Sequence, residues 1–335
     1  MKRLLALIIA IIMICSLCAC ASHKSEQGSD TKTDAQNTAT SDEANNEPPK
    51  ESVVTPLLYK VTDKDGNYVW LFGSIHVGTD NFYPLPDYVI SAYNNADALA
   101  VECDTTTFEN DIDAQTEAIM PMLYLDGTKI SDHVSDEVYE VGVEAMTEFG
   151  IYTQIMDFYK PIMWYSMIES AMTLQTGADS ELGIDYFFLD NAHDTKKEII
   201  EIESVIFQYQ MLANYSEELQ ALLLEDILYT YQEERVQFKE EILKLMDIWA
   251  RGDEKEFSDY LSDDAEYEST EYQELYDEFN TAMITERNLN MADFVEETLK
   301  TGKVVFICVG SAHVVGDGAM ADLLAQRGYT VKIVK

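Results

Sequence analysis

Trp70-Leu-Phe-Gly73-Ser74-Ile-His76-Val-Gly78 and Phe306-Ile-Cys-Val-Gly310-Ser311-Ala-His313-Val314 are one pattern written twice, once towards each end of the chain. Each is an apolar run of strand type that breaks into Gly-Ser-x-His-Val. A glycine at the break lets the backbone turn sharply off the strand, and the histidine two residues after the serine is carried to the lip where the strand ends. In open α/β sheets that lip is where ligands bind. The repeat therefore predicts two strands of one sheet ending at a shared site, although most of the chain lies between them.

Working outward, Leu57 to Thr62 and Tyr68 to Phe72 are β-branched or aromatic runs flanking Asp63-Lys-Asp-Gly-Asn67, a turn-rich stretch that predicts a hairpin. Pro84-Leu-Pro-Asp87 opens a helix to about Asn95, and Ala98-Leu-Ala-Val-Glu102 reads as a buried strand, which makes a unit of parallel character. From Phe108 to Gly177 the apolar spacing is helical, with a start at Ser135 and an interruption at Pro161. Lys196 to Ile202 predicts another strand. A long helical region follows from about Phe207 to Ala250 and, after Arg251-Gly-Asp253, continues from Lys255 to Leu299, with breaks that the spacing does not place. The strand Lys303 to Val309, the helix Gly318 to Arg327 and the strand Thr330 to Val334 close the chain. The expected fold is α/β, a central mixed sheet built from N- and C-terminal segments around a large helical insertion.

The first residues have a different logic. Lys2 and Arg3 precede an apolar stretch from Leu4 to Ile14, too short to span a membrane comfortably, and Leu17-Cys-Ala-Cys20 follows. This predicts a lipoprotein signal over residues 1–19, cleavage before Cys20, and acylation of Cys20 as the anchor on the extracytoplasmic face of a bacterial membrane. Residues 20–54 are polar and carry almost nothing to bury, so they predict a disordered tether. Residues 55–335 remain as one domain.

The chain has 62 acidic residues against 22 basic ones, a formal net charge of -40. Such a surface repels nucleic acid and anionic lipid head groups, so contact with a membrane is expected through the lipid anchor alone. Past the predicted cleavage only Cys20, Cys103 and Cys308 remain, which gives no disulfide framework; the latter two are expected as buried thiols.

Five histidines occur in all. A lone histidine at a strand end is ordinarily a hydrogen-bonded core side chain, but His76 and His313 share one setting. Glu102 follows a third buried run, and Glu203-Ser204 a fourth. Two imidazoles with one or two carboxylates at a sheet rim make either a divalent metal site of mixed nitrogen and oxygen ligands or a metal-free acid/base site. Arginine is scarce, and Arg287, within Glu286-Arg-Asn288, offers a planar fork suited to a carboxylate or a developing oxyanion. His133 and His193 lie outside these patterns and are expected to be structural or surface residues. No His-Glu-x-x-His helix is present.

Taken together these segments resemble the TraB/GumN family, which includes the Tiki domain and is distantly similar to erythromycin esterases and ChaN-like proteins. The resemblance runs over most of Thr55 to Lys335: Phe72-Gly-Ser-Ile-His76, Glu102, Gly183-Ile-Asp185, Glu201-Ile-Glu-Ser204 with Gln208, Trp249-Ala-Arg-Gly-Asp253, Glu286-Arg-Asn288 and Val309-Gly-Ser-Ala-His313. It implies an α/β core with paired Gly-x-x-His motifs and an acidic residue at the site. For Tiki-type members it implies a metal-dependent peptidase that prefers manganese or cobalt, with zinc also possible. TraB-type members are linked to shutting down a peptide pheromone. Carried across, His76, Glu102 and His313 become the metal or acid/base set, Arg287 the clamp and Glu203 a further site carboxylate. The expected activity is a hydrolase acting on a peptide or a small ester or lactone. The alternatives are a lipoprotein that captures a peptide, metal or haem-like ligand without turnover, and a metal-free esterase-like hydrolase.

Overall fold

In a computed structural model of the chain the described residues are 52–261 and 269–334. The signal segment, Cys20 and the tether up to residue 51 lie outside them, as do residues 262–268 of the second long helical stretch. The predicted hairpin forms as β1 (Leu58–Thr62) and β2 (Tyr68–Ser74), paired antiparallel. Its turn is tied by Asp63, whose carboxylate accepts the backbone N–H of Asp65 and of Asn67, each at 2.9 Å. Then come α1 (Asp87–Asn94) and the wholly buried β3 (Ala98–Val101).

The insertion holds α2 (Asp136–Glu148), which starts at Ser135 as expected, with the serine hydroxyl accepting the Val138 N–H. Pro161 does not interrupt a helix. It opens α3 (Pro161–Gln175), because the first helical position needs no N–H and the ring presets the backbone angle there. After α4 (Ile184–Thr195) and β4 (Glu198–Glu201), the helical region expected from Phe207 to Ala250 is three helices: α5 (Val205–Ala213), α6 (Glu217–Glu233) and α7 (Arg235–Arg251). Ser216 makes the first break by capping α6 through the Leu219 N–H. Next follow α8 (Glu254–Leu261), α9 (Thr270–Asn280), a π-helical turn (Thr281–Thr285) and α10 (Glu286–Thr301). The chain then returns through β5 (Val305–Gly310), α11 (Ser311–Val314), α12 (Met320–Gln326) and β6 (Thr330–Ile333).

The six strands form one mixed sheet in the order β4-β3-β5-β2-β1-β6. β2, β5, β3 and β4 run parallel, while β1 and β6 are antiparallel to their neighbours. β5, from the far end of the sequence, slots between β2 and β3, so Ser74 faces Gly310 and Val101 faces Cys308. That insertion brings the two halves of the repeat together. The sheet packs on α4 through Phe72, Phe188 and Phe306, with the Phe188 and Phe306 ring centres 4.9 Å apart. Cys103 and Cys308 are buried free thiols, as expected.

One buried charge-bearing group lies within the helical insertion. Glu169 of α3 is wholly inaccessible, with one oxygen accepting from Thr173 at 3.2 Å and the other without a partner. Burial pushes its carboxyl up to about 8. Among the described residues no helix is long and apolar enough to cross a membrane.

Candidate functional site

Four parallel strands end side by side, and each releases a polar residue just past its last paired position: His76 after β2, His313 after β5, Glu102 after β3 and Glu203 after β4. The ladder runs on far enough for the Glu203 N–H to bond the Glu102 carbonyl at 2.8 Å, which sets the two carboxylates adjacent. His76, Glu102 and His313 are nearly inaccessible, at 7%, 3% and 3% exposure, yet all three line one cavity.

Register explains the two glycines of the repeat. Gly73 faces Val309, not Gly310, so the two motifs are staggered by one residue. A Cβ on Gly73 would come within 2.7 Å of the Ser311 hydroxyl. That hydroxyl donates to the Ser74 carbonyl at 2.8 Å and locks the two strand ends together. A Cβ on Gly310 would lie 3.2 Å from both His76 Nε2 and Glu102 Oε1 and 3.7 Å from His313 Cδ2. The space over Gly310 is therefore where the three side chains converge.

Both imidazoles are held from behind. His76 Nδ1 lies 2.9 Å from Asp185 of α4, and His313 Nδ1 lies 2.7 Å from Asn288 Oδ1 of α10. Asn288 Nδ2 donates to the Gly318 carbonyl at 3.0 Å. A carbonyl can only accept, so the amide oxygen must be the atom facing His313, and His313 Nδ1 must carry the proton. The carboxylate of Asp185 fixes His76 in the same way. Each ring thus keeps Nε2 for whatever enters the cavity, and a hydrogen bond from behind that fixes the tautomer is the usual support of a metal-binding imidazole.

The two rings differ in charge preference. Burial lowers His76, but Asp185 and Glu102 outweigh it and its pKa lies above the ordinary value. Burial, together with the Arg287 guanidinium, pushes His313 down to about 3. Burial would raise Glu102, but Arg287, the two histidines and the Gly310 N–H hold it at about 2.

Arg287 does not line the cavity, and neither does Glu203. The guanidinium is 3% exposed. Its Nε donates to Glu203 at 2.8 Å, Nη2 donates to Glu102 and, at 2.8 Å, to Glu203, and Nη1 donates to the Met283 carbonyl at 3.2 Å and faces the Met283 sulfur at 3.4 Å. All five of its N–H groups point at partners inside the protein. Met283 belongs to the π-helical turn, and such turns are frequent at functional sites. Gln208 completes the set by donating to Glu203 at 3.0 Å and Glu102 at 3.2 Å. His133 and His193 are elsewhere, as expected: one stacks on Tyr124 at 3.9 Å, the other pairs with Asp104 at 2.9 Å.

A shared order of motifs around such a site can be tested against known families, and the model of the TraB/PrgY/gumN family matches residues 57–333. The chain belongs to the TraB/PrgY/gumN family. Among its relatives is the uncharacterized protein YbaP of Escherichia coli strain K12, 26% identical over 266 residues, which are 79% of this chain and 90% of the relative. YbaP of Shigella flexneri is 27% identical over 256 residues, 76% of this chain and 86% of the relative. No solved structure matches. Three residues of the site in this TraB/PrgY/gumN protein, Asp185, Gln208 and Asn288, are given no role by the sequence alone. All three stand among the quoted motifs, and Asn288 also sits on the buried face of α10 four residues before Ala292, where a polar side chain calls for a partner.

The donor chemistry suits a divalent cation: two imidazoles with Nε2 free, and a carboxylate oxygen, Glu102 Oε1, that accepts a single hydrogen bond, from the Gly310 N–H at 2.7 Å. Among the described residues no three His, Cys, Asp or Glu side chains already stand at ligand spacing. His76, His313 and Glu102 are the residues that would hold such a cation.

Proposed function

We propose that this chain is a hydrolase of peptide, ester or lactone carbonyls whose site is His76, Glu102 and His313, assisted by a divalent cation of the manganese, cobalt or zinc kind. The observation that carries the reading is the pair of imidazoles, each fixed from behind at Nδ1 and each offering Nε2 to one cavity. A cation held by His76, His313 and Glu102 would supply Lewis acidity at the substrate carbonyl and acidify water. The chain's own part is preorganisation. Asp185 and Asn288 orient the rings. Arg287, Gln208 and the Gly310 N–H hold Glu102 ionised and aimed. Arg287 acts through Glu102 and Glu203 as a positioning residue, since its donors are engaged away from the cavity. Glu203 anchors Arg287.

A metal-free variant of the same hydrolase is favoured by one observation, the opposite displacement of the two histidine pKa values. His76 with Asp185 has the make-up of a general base and its orienting carboxylate, and His313, unprotonated at all working pH, accepts a hydrogen bond from the attacking water. Attachment to the outer face of a membrane through Cys20 belongs to the proposal; labelled palmitate incorporated into the protein and lost in Cys20→Ala tests it.

Thermal unfolding with and without manganese, cobalt and zinc, run beside the His76→Ala/His313→Ala double variant, tests the metal. A cation at ~100 times its dissociation constant stabilises the folded state by ~2.7 kcal/mol. A shift in the wild type that the double variant lacks supports the cation. Equal shifts, or none, leave the metal-free hydrolase, which cleavage of peptide and ester panels in chelator then tests.

A further inference from the structure

The cavity over the histidines has two unlike halves. Its floor is polar: His76, Glu102, Asn288 and His313. Its wall comes from the helical insertion and the turn after His313, as Leu245 and Trp249 of α7, Phe257 and Leu261 of α8, Ile284 of the π-helical turn and Val315. Leu245, Trp249 and Phe257 are at most 5% exposed, so the wall is set in the fold. The Trp249 indole is pinned by its N–H, which donates to the Gly73 carbonyl at 2.9 Å. Among the described residues no charged side chain interrupts this wall; Ser258, Tyr276 and Asn280 are its polar members, and Asp317 stands at the exposed rim. In a chain of net charge -40 an uncharged surface next to reactive groups is selective by itself.

Size narrows the occupant. The cavity measures ≈ 200 Å³. An apolar cavity of about 150 Å³ takes up benzene, whereas sites for drug-sized ligands run from about 300 Å³ upward. That volume matches one branched or aromatic side chain better than a haem-like ligand or a folded peptide.

We propose that the wall formed by α7, α8 and the π-helical turn is a specificity subsite for a single large apolar side chain of the substrate, of leucine, methionine or phenylalanine type. This rests on reading the floor as the hydrolytic site, since burying that side chain brings the adjoining carbonyl down to the two imidazoles. Ile284 and Leu261, partly exposed members of the wall, set the preference.

The test separates binding from turnover. In the His76→Ala/His313→Ala protein, the Trp249 indole N–H resonance is followed during titration with N-acetyl-phenylalaninamide, N-acetyl-leucinamide, N-acetyl-glutaminamide and N-acetyl-glycinamide. The two apolar amides should shift it and bind at least about tenfold tighter than the other two, the low end of what one apolar group contributes in a fitted pocket. Leu261→Lys and, independently, Ile284→Lys should abolish that preference while the circular dichroism of the fold is unchanged. Equal binding of all four amides, or a preference that survives both lysine variants, overturns the subsite. Apolar preference in binding, with no cleavage of any peptide or ester by the wild type, would keep the subsite and remove the hydrolase.

Discussion

At the scale of single residues, Asn288 shows how a side chain outside the reacting set decides its chemistry. The Gly318 carbonyl fixes the amide, the amide fixes the His313 proton at Nδ1, and Nε2 is left for the cavity. Asn288→Leu should remove that constraint and lower metal affinity by about 10- to 100-fold, the usual cost of losing an orienting partner. Calorimetric titration with manganese measures it, and histidine nitrogen shifts report the tautomer; unchanged affinity with a mixed tautomer would sink the argument. At His76 the proton competes with the cation. Its pKa is raised, so below that value the ring is charged and cannot ligate, and metal affinity should rise with pH as the ring loses its proton. Asp185→Asn should weaken this dependence by removing the main group that favours the charged ring. The histidine pair and Glu102 were legible in the sequence because strand-end positions have a local signature. Asp185 and Asn288 were not, because their partners lie 109 and 25 residues away and no local pattern links a ring to its orienting group.

Among the elements, α10 does the most to assemble the site. Met291, Ala292, Val295 and Leu299 give it a buried stripe, and Arg287 and Asn288 occupy that same stripe one turn earlier. The helix therefore packs Arg287 behind the ends of β3 and β4, where Glu102 and Glu203 take its charge. Removing one partner of such a buried set leaves charges without compensation, so Arg287→Leu should cost about 3–5 kcal/mol of stability. Urea unfolding measures it. If Arg287 were instead a free clamp for substrate, the variant would keep its stability and lose turnover alone. That β2 and β5 share one sheet was readable, since the repeat predicts two strands ending at one site; the order of the six strands was not. Nor were the divisions of the insertion. Ser216 and Pro161 are both ordinary helix-start residues, but an unbroken helical spacing on either side of Ser216, and a helix expected before Pro161, concealed which way each would act. The π-helical turn before α10 has no sequence signature.

For the whole molecule, two effects of one sign lower stability as pH rises, against the opposite contribution of His313, which is neutral in the folded protein and takes up a proton on unfolding below its ordinary value of 6.5. The excess of acids makes the folded state repel itself more as carboxylates ionise. Glu169 adds to this, because its pKa is about 8 in the folded protein against an ordinary value of 4.5. Below about pH 4.5 the group is neutral in both states and costs nothing. Between there and pH 8 the unfolded chain has released the proton that the folded chain still holds, so stability falls as pH rises; above pH 8 the penalty is constant. Its size follows from the shift at roughly 1.4 kcal/mol per unit, on the order of 4 kcal/mol by pH 8. Glu169→Gln keeps the shape, retains a group that can meet the Thr173 hydroxyl, and cannot ionise. It should therefore raise the urea midpoint at pH 8, change it little at pH 5, and flatten the decline between. A variant that loses stability equally at both pH values would mean that Glu169 is held as a carboxylate by a partner, and the falling limb would then belong to surface charge. Salt separates that contribution: about 0.5 M sodium chloride shortens the screening length to roughly 4 Å and should flatten the surface part of the decline, leaving the Glu169 part in place.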